Sequence, residues 1–167
     1  VDTSNFSRIA SNGSLDVAYD AKLPETGVIE PTTTAATATF VVGLPPAPTM
    51  AAGSSWYKSK ENRNTITKIT FIDSYTPSTE ADEKWFADKN NNGDITCYRT
   101  GTEIIIAGNG AGKIQANANS SYMFSYSTTN SEFRNLASID NISLLDTTGV
   151  TRMSAMFSNC QSLASLN

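Results

Sequence analysis

"MSAMFSNCQSLASLN" (Met153–Asn167) restates, with one interruption, what "SSYMFS" and "FRNLASID" already spell between Ser120 and Asp140. Both copies read S-x-M-F-S and then x-x-L-A-S-[IL]-[DN]. Phe124 and Phe157 stand 33 positions apart but Leu136 and Leu163 only 27, so the earlier copy carries a six-residue insertion at or near "YSTTNS". Repetition at this period is the mark of a solenoid, in which each unit buries its apolar side only against its neighbours.

Thr151 caps the unit, and Met153, Met156 and Phe157 at i, i+3 and i+4 predict a short helix with Asn159 near its end. A short strand, "LASL", follows. The Met and Phe stripe reads as core. The expected repeat core is Met123, Phe124, Leu136, Ile139, Val150, Met153, Met156, Phe157, Cys160, Leu163 and Leu166.

"LLDTTGVTRMSAMFSNCQSLASLN" resembles the BspA-like repeat of bacterial surface proteins, a relative of leucine-rich repeats with units of about 26 residues. Those units read D-T-S-x-V-T-x-M-x-x-M-F-x-x-C-x-S-L. Asp146, Thr147, Val150, Thr151, Met153, Met156, Phe157, Cys160, Ser162 and Leu163 fall on the pattern, while Thr148-Gly149 departs from its usual Ser-Asn. The stretch from "WYKS" through "ITFIDSYTP" and "GTEIIIAGNGAGKI" to "SSYMF" also resembles the region that leads into such repeats in Gram-positive surface and prophage-encoded proteins. The resemblance spans roughly residues 56–167. It implies adhesion and display, and brings no catalytic residue with it. Its array stops in mid-course at Asn167, so further repeats are expected in the native protein.

Upstream, residues 56–118 predict a small antiparallel β domain. "NTITKITFIDS" alternates, with Ile69 and Phe71 on one face. "STEADEKWFADK" predicts a short helix, capped by Ser78 or Thr79, with Glu80, Asp82 and Glu83 in its first turn and Trp85 and Phe86 on its buried face. "DITCYRT" and "TEIIIAG" meet across Thr100-Gly101-Thr102 as a hairpin.

Two stretches here imitate ligand sites. "EIIIAGNGAGKI" looks like a strand entering a phosphate loop, but Ala107 stands where the first Gly belongs and Ile114 where a hydroxyl must reach Mg²⁺. A dinucleotide fingerprint fails as well, because its third Gly comes too early. The stretch reads as a strand and a tight turn. "DKNNNGDI" offers Asp88, Asn90, Asn92 and Asp94 as a Ca²⁺ candidate with Gly93 at the sharp turn, yet the twelfth position is Arg99 instead of a bidentate acid. An Asn/Gly turn is the favoured reading, and no cofactor is expected.

Residues 1–55 read as an extended arm and Pro/Ala-rich linker, with short strands in "LDVAYDA" and "ATATFVVGL" and a proline run at "LPPAPTMAAGSS". An arm patterned this weakly needs a partner to order it. Residues 1–50 are therefore expected to pack on a sister subunit or another protein, within an oligomer or larger assembly. "LPETG" (Leu23–Gly27) matches a sortase motif, but lies far from the position at which sortases act and reads as a turn.

Composition removes other classes. The 167 residues contain no histidine, which takes away Ser-His-Asp and Cys-His nucleophiles and His-ligated zinc. Cys97 and Cys160 read as buried thiols, a disulfide between them being the lesser alternative. A net charge of −4 and the lack of a basic stripe argue against nucleic acid. No apolar run is long enough to span a membrane, and "VDTSNFSRIA" lacks a signal peptide's apolar core. Asp73 and Glu103 remain as carboxylates for a carbohydrate-active enzyme, with nothing in the sequence to pair them.

The expected fold is thus mainly β (α+β): an arm (1–55), a small antiparallel β domain (56–118), and the first turns of a leucine-rich-like solenoid with short helices (119–167). The expected function is non-enzymatic adhesion or display at a cell or virion surface, with a surface protein or glycan as ligand. A phage head fibre or decoration protein docked through its arm is the alternative.

Overall fold

Lys68–Ile72 alternates half-buried and buried side chains and is rich in β-branched residues, and it forms a strand with Ile69 and Phe71 fully buried. The computed structural model describes residues 14–18, 37–41, 43–125 and 132–167. In chain order its strands are β1 (Ser14–Ala18), β2 (Thr37–Val41), β3 (Lys68–Ile72), β4 (Glu83–Phe86), β5 (Thr96–Thr100), β6 (Glu103–Ala107), β7 (Ile114–Gln115), β8 (Ser138–Asp140), β9 (Leu145–Asp146) and β10 (Ser165–Leu166). Helical structure among the described residues amounts to three short 3₁₀ turns, at Gly53–Trp56, Arg63–Thr65 and Ile142–Leu144. The protein is mainly β.

Val1–Leu44 is one compact unit, in which β1 and β2 pair antiparallel with Ser14 opposite Val41. These are the two strands expected in the arm. "LPETG" and the "YSTTNS" insertion lie outside the described residues.

Pro45–Asn167 is the second unit, built on a six-stranded mixed sheet in the order β10-β8-β3-β6-β5-β4. The hairpin across Gly101 is present, and β4, β5 and β6 form an antiparallel meander. The expected all-antiparallel domain is not: β3 lies parallel to β6 on one side and to β8 on the other, and β10 continues parallel to β8. This register sets Ile104, Ile69, Ile139 and Leu166 side by side in one row. A division between residues 118 and 119 therefore cuts through one sheet.

A second ladder runs beside the first. β7 pairs parallel with β9, Thr49 bridges parallel to Gln115, and Met50 bridges to Asp88. Asn119 then bridges to Arg152, and the Phe124 N–H donates to the Met156 carbonyl at 2.9 Å. Three chain segments stack in this way: 48–72, the described residues of 114–140, and 145–166. The expected linker to residue 55 is thus corrected. Met50 and Trp56 are fully buried, and the unit boundary falls between Leu44 and Pro45.

The core between the ladders is aromatic. Trp56 stacks on Phe133 with centroids 6.1 Å apart and rings 2° from parallel, and Phe124 stacks on Phe157 at 5.3 Å. Met123, Phe124, Leu136, Ile139 and Met156 are buried as expected, and Val150, Phe157, Cys160 and Leu163 pack partly buried against them. Met153 and Leu166 are not core residues. Each is 48% exposed, on the outer side of the third segment.

Both expected helices are absent. Glu83–Phe86 is strand because its burial has period two: Trp85 points inward, where its indole N–H donates to the Trp56 carbonyl at 2.8 Å, and Lys84 and Phe86 point outward. The acids before it fit a helix cap, but the sheet's hydrogen bonds outweigh that local preference. Residues 153–157 form turns. The Ser154 and Met156 carbonyls accept from Tyr122 and Phe124 of the preceding segment, which takes them from an i to i−4 ladder. Ala155 and Asn159 are left-handed, at φ 52° and 60°.

One ion pair edges the core. Glu83 and Arg99 face each other across β4 and β5, Nη2 to Oε1 being 2.8 Å, with side chains 16% and 12% exposed. Ser59 Oγ and the Lys60 N–H also donate to Glu83. Burial raises the Glu83 carboxyl, but these donors outweigh it and hold it below its ordinary value of 4.5. A depressed carboxyl stabilises the fold above its unfolded pKa, and that contribution fades as pH falls through the folded value.

Glu83→Gln is therefore expected to destabilise at pH 7 by about 1–3 kcal/mol. In urea melts read along a pH series, the gap to the parent chain is expected to close below about pH 4. Ala155→Gly is expected to stabilise by on the order of 0.5–1 kcal/mol, since Ala155 is exposed and left-handed. Thermal melting checks it, and a fall in Tm would refute the strain assigned to that turn.

Candidate functional site

The imitated phosphate loop is filled by its own protein. The Gly108 N–H donates to the Ile72 carbonyl at 2.9 Å, Gly110 to the Asp73 carbonyl at 3.0 Å, and Gly112 to Asp73 Oδ1 at 2.7 Å. The amides that would cradle a phosphate instead cap the end of β3. Gly108 is required there because a Cβ would stand 2.8 Å from the Asp73 carbonyl oxygen. Lys113 turns away to Asp146, at 3.7 Å.

The calcium candidate has a comparable local explanation. Asp88, 4% exposed, accepts the Asn92 and Gly93 N–H groups on its two oxygens at 2.9 and 3.0 Å. Burial raises its carboxyl, the amides more than offset this, and it lies below its ordinary value. Asn92 Nδ2 donates to Asp94 Oδ2, and the Asp94 N–H returns to Asn92 Oδ1. Asn90 is exposed beside them. Residues 89–94 form an Asn/Gly turn with Asn91 and Gly93 at positive φ. Among the described residues, no three His, Cys, Asp or Glu side chains group as a metal site.

Asp73 and Glu103 are kept apart. Glu103 lies opposite Lys68 at one end of the sheet, whereas Asp73 follows Ile72 at the other, about 16 Å along the strand. Cys97 and Cys160 are free thiols. Burial raises Cys97 well above its ordinary value and pushes Cys160 up to about 11. The Cys160 thiol donates to the Phe124 carbonyl at 3.1 Å.

Two surface grooves stand out among the described residues. One, of about 320 Å³, lies beside the meander between Tyr75 and Tyr98, whose rings meet edge to face at 5.3 Å. Pro77 and Glu80 line it, and Lys84 Nζ sits 5.6 Å from the Tyr98 centroid.

The other groove, of about 450 Å³, crosses the stacked segments where they turn. Gly53, Ser54 and Ser55 line it from the first segment, Asn119, Ser121 and Tyr122 from the second, and Arg152 from the third. Inter-segment bonds hold its floor. The Gly53 N–H donates to the Asn119 carbonyl at 2.8 Å, the Arg152 N–H to the Ala118 carbonyl at 3.0 Å, and the Ser120 N–H to the Arg152 carbonyl at 2.8 Å. Gly53 is needed for that approach, since a Cβ on it would lie 2.7 Å from the Ser121 carbonyl oxygen. Tyr122, left-handed at φ 59°, is 43% exposed. The repeat reading missed these residues because it followed apolar positions. The echo of "GSSWY" in "NSSYM" is the signal that leads to them.

No helix among the described residues is long and apolar enough to cross a membrane. Comparison with protein-family models, curated proteins and solved structures finds no match to this chain.

Proposed function

We propose that this chain is a non-catalytic display module, in which repeat turns of BspA-like type stack as a short solenoid and present a binding face at a cell or virion surface. The observation that carries this is the pair of parallel ladders joining segments 48–72, 114–140 and 145–166, with Trp56, Phe124 and Phe157 in successive contact between them. Such stacking produces an elongated face whose side chains vary without disturbing the core. The meander β4-β5-β6 covers the outer edge of β3, which supports its place as a cap on the first turn.

A second reading is favoured by the separate unit Val1–Leu44 with its own antiparallel strand pair. In that reading the unit docks on a particle, and the protein is a virion component such as a head fibre or decoration protein. The two share a display role and differ in what residues 1–44 hold.

Beads coated with the 167-residue chain are expected to adhere to immobilised cell envelopes or mucin, and beads coated with an unrelated protein of equal charge are not. Equal retention of both sinks the display role. Light scattering on the chain and on a 45–167 truncation then separates the two readings. A defined oligomer that becomes monomeric on truncation favours the virion component, and two monomers favour the adhesin.

A further inference from the structure

We propose that the groove crossing the three segments binds a sugar ring bearing a carboxylate, a proposal that rests on the display role and names its ligand class. Arg152 is the only charged residue lining that groove, and no acid faces it there. Among the described residues nothing pairs with its guanidinium, although its backbone is fixed through both N–H and carbonyl to the second segment. A planar fork of this kind matches a carboxylate with two parallel hydrogen bonds.

Backbone amides decide between carboxylate and phosphate. A phosphate site collects several unspent N–H groups. Here Gly53, Ser120, Ser121 and Tyr122 all spend theirs within the protein, on Asn119 O, Arg152 O, Asn119 Oδ1 and Ser154 O. The Arg152 guanidinium is the charged group in the lining that can carry the anion.

Tyr122 supplies the ring face. Its left-handed backbone recurs at Ala155 in the next segment, so the stacking requires the conformation and not the aromatic side chain. An exposed tyrosine in that place offers an apolar plane to the C–H face of a pyranose, while Ser54 and Ser121 line the same groove with hydroxyls suited to its hydroxyl groups. About 450 Å³ accommodates one or two sugar residues. The groove beside Tyr98 is a poorer candidate for an anion, because Glu80 lines it and its lysine already lies over a ring.

Titration of the ¹⁵N-labelled 167-residue chain with glucuronate, N-acetylneuraminate, glucose, acetate and inorganic phosphate tests this. At least one acidic sugar is expected to shift the Gly53, Asn119 and Tyr122 amides and to bind about tenfold more tightly than glucose or acetate. The two acidic sugars distinguish a uronate-bearing polysaccharide from a sialylated glycan. Arg152→Gln is expected to remove about tenfold of that affinity, and Tyr122→Ala to weaken the acidic sugar but not acetate. Both side chains lie on the surface, and far-UV circular dichroism verifies that the variants fold. Glucose binding as tightly as glucuronate, preference for phosphate, binding unchanged by Arg152→Gln, or no binding at all overturns the proposal. If Arg152→Gln beads still adhere while the acidic sugars fail, the display role stands and the ligand class falls. If an acidic sugar binds as described but coated beads do not adhere, the reverse holds.

Discussion

The indole of Trp56 ties together parts of the chain that sequence order keeps apart. Its N–H donates to the Met123 carbonyl at 2.7 Å, and the backbone carbonyl of Trp56 accepts from the Trp85 indole at 2.8 Å. One residue thereby joins the first stacked segment to the second and to the meander. All of this is buried, where a lost hydrogen bond leaves a polar group without water and costs about 1–3 kcal/mol. Around it Phe133 lies face to face with the indole, and Tyr57 and Phe124 meet it edge on. The ladders on either side are held at the spacing these rings set.

Much of the strand content was legible in the sequence, because strands declare themselves by alternation. Ile69 and Phe71 on β3 are buried on the face their spacing assigns, and "TEIIIAG" forms the strand β6 of the expected hairpin. What alternation does not encode is which strand lies beside which. β3 is bordered by β6 and by β8, the latter from a segment that begins beyond the whole meander. Nothing local to Lys68–Ile72 distinguishes a parallel from an antiparallel neighbour. The two failed helices share a cause. Methionine and phenylalanine at helical spacing, like acids before Trp85, express a local preference, but the backbone groups in both places are claimed by neighbouring strands or turns.

The candidate site was less legible than the fold. Apolar repetition pointed to the core and therefore away from the surface, and the two motifs that promised ligands proved to be self-contained. In each, a carboxylate of the chain occupies the amides or side chains that a ligand would need: Asp73 beneath the glycine loop and Asp88 within the asparagine turn. The groove with Tyr122 and Arg152 shows the opposite balance. The amides of Gly53, Ser121, Tyr122 and Arg152 are satisfied within the protein, while the Tyr122 and Arg152 side chains are left exposed.

The placement of β3 between β6 and β8 also governs how the chain reaches this structure. Lys68 pairs with Glu103 across a loop of 35 residues and with Ser138 across one of 70. Closing the longer loop costs only about 0.6 kcal/mol more at equilibrium, because closure entropy grows with the logarithm of length. The rate is affected more, since contacts between distant residues must be found before they stabilise anything. The meander, joined by short local connections, has no such delay. Contact order thus predicts that the central strand of the finished sheet is completed late, between an edge built from local pairings and another supplied from the far end of the chain.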